Sequence, residues 1–500
     1  MMPITITNLY DDLSNSLQSL RSDSSRVGNS RKIVDAAIED GKTYYGINSG
    51  FGALAQKRIS KDDLETLQRN LILSHAVGVG APVPKTVSSL MLQMKIHSLG
   101  QGYSGISSDT FHQLLKFDEH KLVPVVPSKG SVGASGDLAP LAHLSLPLIG
   151  QGEFWSKNDR SPIPAGVALA ENGIEPIVLH PKDGLALING TQFMAAYGAF
   201  VLHRTHRLVK LADILSAMSL EALQGSLKPF DKRIHDIRPH RGQVQVAENI
   251  RQLLEGSEIL ESHRDCGKVQ DPYSLRCIPQ VHGACRDALD YARKTVEIEI
   301  NSVTDNPLVF DDGDILSGGN FHGEPLAISL DTAAIALSEI AGISERRTFL
   351  LLEGEDGLPK LLMQNTGINS GFMIPQYTAA ALVSENKVLS HPASVDSIPT
   401  CLGQEDHVSM GSISAVKLYQ VLENVEHVLA VELITATQAL DYRLPLKPGR
   451  GVYQAHEFIR SKIPHRESDG MFHDDLNLSV TILRNNDFLN SLENQLGMLR

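Results

Sequence analysis

The stretch Gly130-Ser131-Val132-Gly133-Ala134-Ser135-Gly136-Asp137-Leu138 places Gly130, Gly133, Ala134 and Gly136 around two serines in one short loop. The plainest reading is a tight turn with Asp137 as N-cap of a helix starting near Leu138. A phosphate cradle is a poorer fit, because neither G-x-x-x-x-G-K-[ST] nor G-x-G-x-x-G is present. A nucleophile elbow also fails: Gly133 stands two before Ser135, but Asp137 stands two after. The triplet Ala134-Ser135-Gly136 offers a different chemistry. The Gly136 nitrogen, unobstructed by a Cβ, can attack the Ala134 carbonyl. Loss of water closes a five-membered ring, and dehydration of Ser135 leaves an exocyclic methylene. The product, a methylidene-imidazolone (MIO), is an electrophile of a kind no ordinary side chain provides.

Other residues carry chemistry only if the fold brings them to that loop. Tyr45 lies in the loop YGINSGFG, where the bland alternative is packing on Phe51. As a base it needs its pKa lowered from about 10. His75 ends a helix expected from Lys61, next to the apolar face of Leu64, Leu67 and Leu71. Asn189 interrupts Gly184 to Leu202, a run with no Asp, Glu, Lys or Arg that reads as a buried helix, with Asn189 as the cap of a kink at Gly190. Tyr273 and Arg276 are three apart and share a face if helical, and Arg276 suits a carboxylate bound bidentately. Gln404-Glu405-Asp406-His407 has metal-ligating types, but adjacent spacing is poor for one helical face and no H-E-x-x-H exists. His465, His473, Asp474 and Asp475 read as solvated surface or interface.

GSVGASGDLAPLAH, residues 130–143, resembles without a gap the prosthetic-group loop of the histidine ammonia-lyase family, the histidine branch of the MIO-dependent aromatic amino-acid lyases. The resemblance extends from about Tyr44 to the last third of the chain. It implies an MIO formed from Ala134, Ser135 and Gly136, with no external cofactor and no metal. It implies that Tyr45, Tyr273 and Glu405 are catalytic, and that His75, Asn189, Gln270, Arg276, Phe321 and Glu405 bind the substrate. Arg276 would hold the carboxylate of L-histidine, and His75 and Glu405 its imidazole. Glu405 is the feature that separates this branch from the phenylalanine branch. A carboxylate there is left unpaired by a phenyl ring. Whether Tyr45 or Glu405 is the base, and whether amine or imidazole meets the electrophile, stay open. The chain departs from the pattern at Ile278 and at Gly403, where a polar residue is common before Gln404.

These residues need long helices to hold them. Periodic stretches run over about 183–223, 324–353 and 408–442, well above the usual helix length. Shorter helices are expected over 86–99 and after the capping-box-like Ser60-x-x-Asp63. Residues 153–179, rich in Pro and Gly, read as loop with short strands, and 311–319 as a turn cluster. The expected fold is therefore mainly α, a bundle of long helices. The resemblance adds the fumarase/aspartase-like helical architecture and a homotetramer with shared active sites. Residues 1–223 would carry the loop and 224–500 the bundle and C-terminal helices, as one continuous enzyme unit.

Composition bounds the partners. Of 500 residues, 42% are hydrophobic and 5% aromatic, with Trp155 the single tryptophan, which disfavours a sandwich or propeller. With 45 basic and 58 acidic residues the net charge is −13, so neither nucleic acid nor anionic membrane is attracted. Four cysteines without a C-x-x-C pair signal neither a disulfide scaffold nor structural zinc. The N-terminal MMPITITNLYDDLSNSL shows no basic region followed by an apolar one, and a cytoplasmic location is expected.

Overall fold

The computed structural model describes residues 3–40, 42–50, 52, 59–60, 63–156, 161–264 and 267–500. Phe51, Lys61 and Cys266 lie outside the described residues. Among the described residues, twenty α-helices and three two-stranded antiparallel sheets make a mainly helical protein. Eight helices matter most for the site or the long-range architecture: α1 (Leu64–His75), α2 (Lys85–Gly100), α3 (Leu138–Ser145), α4 (Asp183–Ile188), α5 (Gln192–Ala222), α6 (Ile278–Ile300), α7 (Glu324–Leu352) and α8 (Gly411–Asp441). α5 and α8 have 31 residues each and α7 has 29, and α7 and α8 fall within the periodic stretches expected at 324–353 and 408–442. α1 begins at Leu64 with Asp63 at its N-cap, and the Ser60 hydroxyl donates to the Asp63 carboxylate at 2.6 Å.

The expected helix over 183–223 is two helices. It breaks at Asn189-Gly190-Thr191, where Asn189 is extended (ψ 142°) and Gly190 has φ +120°. A Cβ at Gly190 would lie 2.8 Å from Thr304 Oγ1, so the break accepts little but glycine. The short strands expected within 153–179 form a ribbon, and a second, unexpected ribbon flanks the 311–314 turn. Glu153–Trp155 pairs with Pro162–Pro164, and Leu308–Val309 pairs with Ile315–Leu316 across the 311–314 turn.

The chain forms two compact units, each assembled from three segments. The first comprises 1–202, 292–331 and 392–416; the second comprises 203–291, 332–391 and 417–500. Each of the helices α5, α6, α7 and α8 supplies residues to both units, so no one cut in sequence separates them. Among the described residues one helix, α7, is long and apolar enough to cross a membrane, and 67% of its most apolar window is buried within the protein. That burial is the pattern of a core helix.

Within the 465–475 cluster, read as solvated surface or interface, His473 and Asp474 are exposed, but His465 and Asp475 are engaged inside the second unit. His465 Nδ1 lies 2.5 Å from Asp441 Oδ2, His456 Nε2 lies 2.7 Å from Asp441 Oδ1, and Arg466 pairs with the buried Asp475 at 2.7 Å. These contacts tie the C-terminal helices of the second unit to the end of α8. Burial acts to raise the Asp441 carboxyl, but His456, Arg460 and His465 outweigh it and hold it down at about 2.

Candidate active site

The prosthetic-loop candidate is braced before it does any chemistry. Ala134 packs with Val408 and Met410, and the Met410 amide donates to the Val132 carbonyl at 2.9 Å. Ser135 has φ +51° and Gly136 φ +80°, so two consecutive residues are left-handed. Serine enters that region at a cost on the order of 1–2 kcal/mol. Gly136 has a second constraint: a Cβ there would lie 2.1 Å from the Gly190 carbonyl oxygen. The loop and the helix break face each other as backbone. Asp137 N–H donates to Gly190 O at 2.8 Å, and Gly190 N–H reaches Ser135 O at 3.4 Å.

Asp137 is not the side-chain cap of the helix that follows it. Its carboxyl makes no side-chain cap bond to α3. Instead Oδ2 accepts from the amides of Phe193 and Met194, at 3.0 and 3.1 Å, and so caps α5. Oδ1 lies 2.8 Å from Ser412 Oγ. Complete burial pushes this carboxyl up to about 7, against the pull of those donors. Below the same break, the buried Lys95 of α2 donates to the Asn189 carbonyl at 2.5 Å. Burial brings its ammonium down to about 7.

These elements close a cavity of about 620 Å³ within the first unit. Tyr45, His75, Ser135, Asn189, Cys401 and Glu405 all line it. Glu405 is the most tightly positioned. Its Oε1 accepts from Ser135 Oγ at 3.1 Å and its Oε2 from Thr400 Oγ1 at 2.7 Å. The turn from Thr400 to Glu405 runs through three left-handed residues, Cys401, Leu402 and Gly403, and is closed by the Thr400 amide donating to the Glu405 carbonyl at 3.0 Å. Gly403, the departure seen in the sequence, has φ +87° and supplies the last of those three residues. The rest of the Gln404–His407 cluster diverges from the cavity wall, and His407 stacks on His322 at 5.9 Å.

His75 Nδ1 donates to the Leu71 carbonyl at 2.8 Å, which leaves Nε2 as a lone-pair acceptor on the neutral ring. Burial lowers its pKa, while the Leu71 carbonyl and Glu405 oppose that change. Asn189 Nδ2 donates to the Asn306 carbonyl at 2.7 Å, so the amide expected in an apolar run is partnered and faces a cavity. Tyr45 runs against expectation. Burial raises its pKa, the Gly52 amide offsets part of that, and Glu405 and Cys401 raise it further. A phenolate is therefore disfavoured at rest.

The remaining candidates stand apart from this wall. Gln270, Tyr273 and Arg276 belong to the second unit, on an exposed segment. Tyr273 is 70% exposed, and the Arg276 guanidinium sits 4.4 Å over its ring, on the shared face expected from the spacing. Gln270 lines a larger cavity of about 1290 Å³, whose wall holds none of the other expected site residues. Phe321 is half-buried on the turn before α7 and does not line the 620 Å³ cavity. Lys95, Ser412 and Cys401 were not foreseen. A lone lysine in the apolar run MLQMKI was the one available signal among them.

The fold and cavity define a class of protein: a helical enzyme built around a left-handed Ala-Ser-Gly loop that faces Tyr, His and Glu. The sequence model described as "Aromatic amino acid lyase" matches residues 9–461. A histidine ammonia-lyase of Anaeromyxobacter sp. (strain K) is 54% identical over 460 residues, covering 90% of this chain and 91% of the relative. The solved histidine ammonia-lyase of Trypanosoma cruzi superposes with TM-score 0.87 at 42% identity, over 94% of this chain and 89% of that one. A tyrosine aminomutase of Streptomyces globisporus superposes with TM-score 0.90 at 33% identity over the full length of both chains. This chain belongs to the aromatic amino acid lyase family. The aminomutase shows that the fold alone does not choose the substrate, so the cavity must.

Proposed function

We propose that the chain converts L-histidine to trans-urocanate and ammonia, as the histidine ammonia-lyases it resembles are named for doing. The observation that carries this reading is the pairing of two hydrogen-bond acceptors, His75 Nε2 and the Glu405 carboxylate, in the cavity that also contains Ser135. A protonated imidazole presents an N–H to each member of such a pair. A phenyl ring presents nothing, and a phenol O–H satisfies only one of them.

The loop fits an MIO. Ser135 and Gly136 already bend in the left-handed sense, and the Gly136 position excludes any Cβ. Ala134, Ser135 and Gly136 would form the group, which supplies an electrophilic methylene and turns a poor amine leaving group into a better one. Asn189, which lines the same cavity, and the Gly190 amide, which reaches Ser135 O at 3.4 Å, would stand beside the group. His75 and Glu405 orient the ring of the substrate, and Arg276 holds its carboxylate. Tyr45 takes the β-proton in this reading. Glu405 opposes that role while its charge is unpaired, and the bound imidazole removes the opposition by pairing with it. The exposed position of Gln270 and Tyr273, with the half-buried Arg276 beside them, supports a homotetramer in which a neighbouring copy completes each site. The second unit also exposes Ile335 and Phe349 on α7, together with Ile374, Tyr377 and Val388. The net charge of −13 supports a cytoplasmic enzyme with no nucleic-acid or membrane partner.

The test is a panel of L-histidine, L-tyrosine and L-phenylalanine with the purified chain. Urocanate and ammonia should form with a kcat/KM at least about a hundredfold above that of the other two deaminations. Faster turnover of tyrosine or phenylalanine, or a β-amino acid product, would overturn the assignment.

A further inference from the structure

Ser131 and Ser412 have no place in the reaction described above, yet they grip the Ala134-Ser135-Gly136 triplet from both ends. Ser131 Oγ accepts from the Gly133 amide at 3.1 Å, just before the triplet, and lies 3.5 Å from the Gly136 carbonyl oxygen at its far end. One hydroxyl therefore pins the two flanks of a three-residue span towards each other. Ser412, buried at the start of α8, holds that hydroxyl in place. Its Oγ lies 2.7 Å from Ser131 Oγ and 2.8 Å from Asp137 Oδ1. A hydroxyl has one proton, so Ser131 reaches the Gly136 carbonyl only when Ser412 donates to Ser131 and a protonated Asp137 carboxyl donates to Ser412. Asp137 is in turn fixed by the first amides of α5.

We propose that Ser412, acting through Ser131, is a positioning residue for closure of the prosthetic ring; this rests on the MIO reading given above. Closure forms a bond from Gly136 N to Ala134 C. The Ala134 oxygen leaves as water, taking the hydrogens of the Gly136 and Ser135 amides. A second water takes the Ser135 hydroxyl and its Cα hydrogen. No oxidant or reductant is consumed, and the chain loses about 36 Da. The step needs an amide nitrogen brought onto a neighbouring carbonyl, which an open loop rarely does. A brace across the triplet holds the chain near that geometry, and a displacement of about 1 Å in such an arrangement costs on the order of a hundredfold in rate.

The experiment follows the full-length chain made by cell-free translation, sampled over time by intact mass, for wild type, Ser412→Ala, Ser131→Ala and the double variant. Helical content and thermal midpoint are checked in parallel. The expected result is a loss of 36 Da in all four, slowed about tenfold or more in both single variants and no further in the double, because both act through one brace. Histidine turnover should fall in proportion to the dehydrated fraction. Wild-type dehydration kinetics in Ser412→Ala, or a double variant whose slowing is the product of the singles, would overturn the proposal. If Ser412→Ala does not fold, Ser131→Ala decides, since Ser131 is only half-buried, and its dehydration at the wild-type rate would overturn it. A wild-type chain that never loses the two waters would sink the MIO reading itself. Loss at the same rate in wild type and Ser412→Ala would sink only the brace.

Discussion

Replacing Asp137 by Asn isolates the electrostatics beneath the loop. The amide keeps a carbonyl oxygen for the Phe193 and Met194 amides and an NH2 for Ser412, so the contacts survive while the titration is removed. In the folded chain burial raises the Asp137 carboxyl from 3.8 to about 7. Between those values the folded state holds the proton and the unfolded state has released it. Stability linked to Asp137 is then fully present below the unfolded value and declines as pH rises, by about 1.4 kcal/mol per pH unit, until it is lost above about 7. The ceiling over the whole interval is about 4 kcal/mol. Between about pH 5 and about pH 7 the stability of Asp137→Asn relative to wild type should therefore improve by about 2–3 kcal/mol, and then level off. Urea midpoints followed by circular dichroism at fixed protein concentration measure this difference. An unchanged gap between the two proteins over that range would show that Asp137 is ionised throughout. The capping amides, and not burial, would then dominate its environment.

Three further outcomes follow from the same geometry. Gly136→Ala meets the Gly190 carbonyl at 2.1 Å and forces alanine to φ +80°. It should cost about 2–5 kcal/mol in stability and abolish the 36 Da loss; a thermal midpoint equal to wild type would show that the backbone contact is not tight. Glu405→Gln should lower kcat for L-histidine by about tenfold or more while leaving carboxylate recognition by Arg276 intact. Steady-state kinetics with unchanged kcat and KM would remove Glu405 from the imidazole site. Treatment with EDTA should leave turnover unchanged, whereas complete loss restored by a divalent ion would revive a metal role for Gln404–His407.

What the sequence disclosed about this protein follows the range of the forces involved. The lengths of α7 and α8 were legible because apolar periodicity is local. The break at Asn189–Thr191 was not, because the carboxyl that caps α5 comes from Asp137, more than fifty residues earlier in the chain. The same long-range contact explains why Asp137 read as the cap of its own neighbour α3. The compact units escaped a sequence cut because four helices each contribute to both. In the site, Ser135, His75, Asn189 and Glu405 were legible from motif and residue type, and the fold brings them to one cavity. The direction of the Tyr45 shift was not legible, since it depends on burial and on a carboxylate 360 positions away.

The central claim is that the Ala134–Gly136 loop becomes the electrophile that deaminates L-histidine. Its most direct test is to incubate purified wild type and Ser135→Ala with L-histidine and to quantify urocanate and ammonia together. Wild type should release the two in equal amounts, and Ser135→Ala, folded and of wild-type helical content, should release neither. Urocanate production by Ser135→Ala at the wild-type rate would contradict the account.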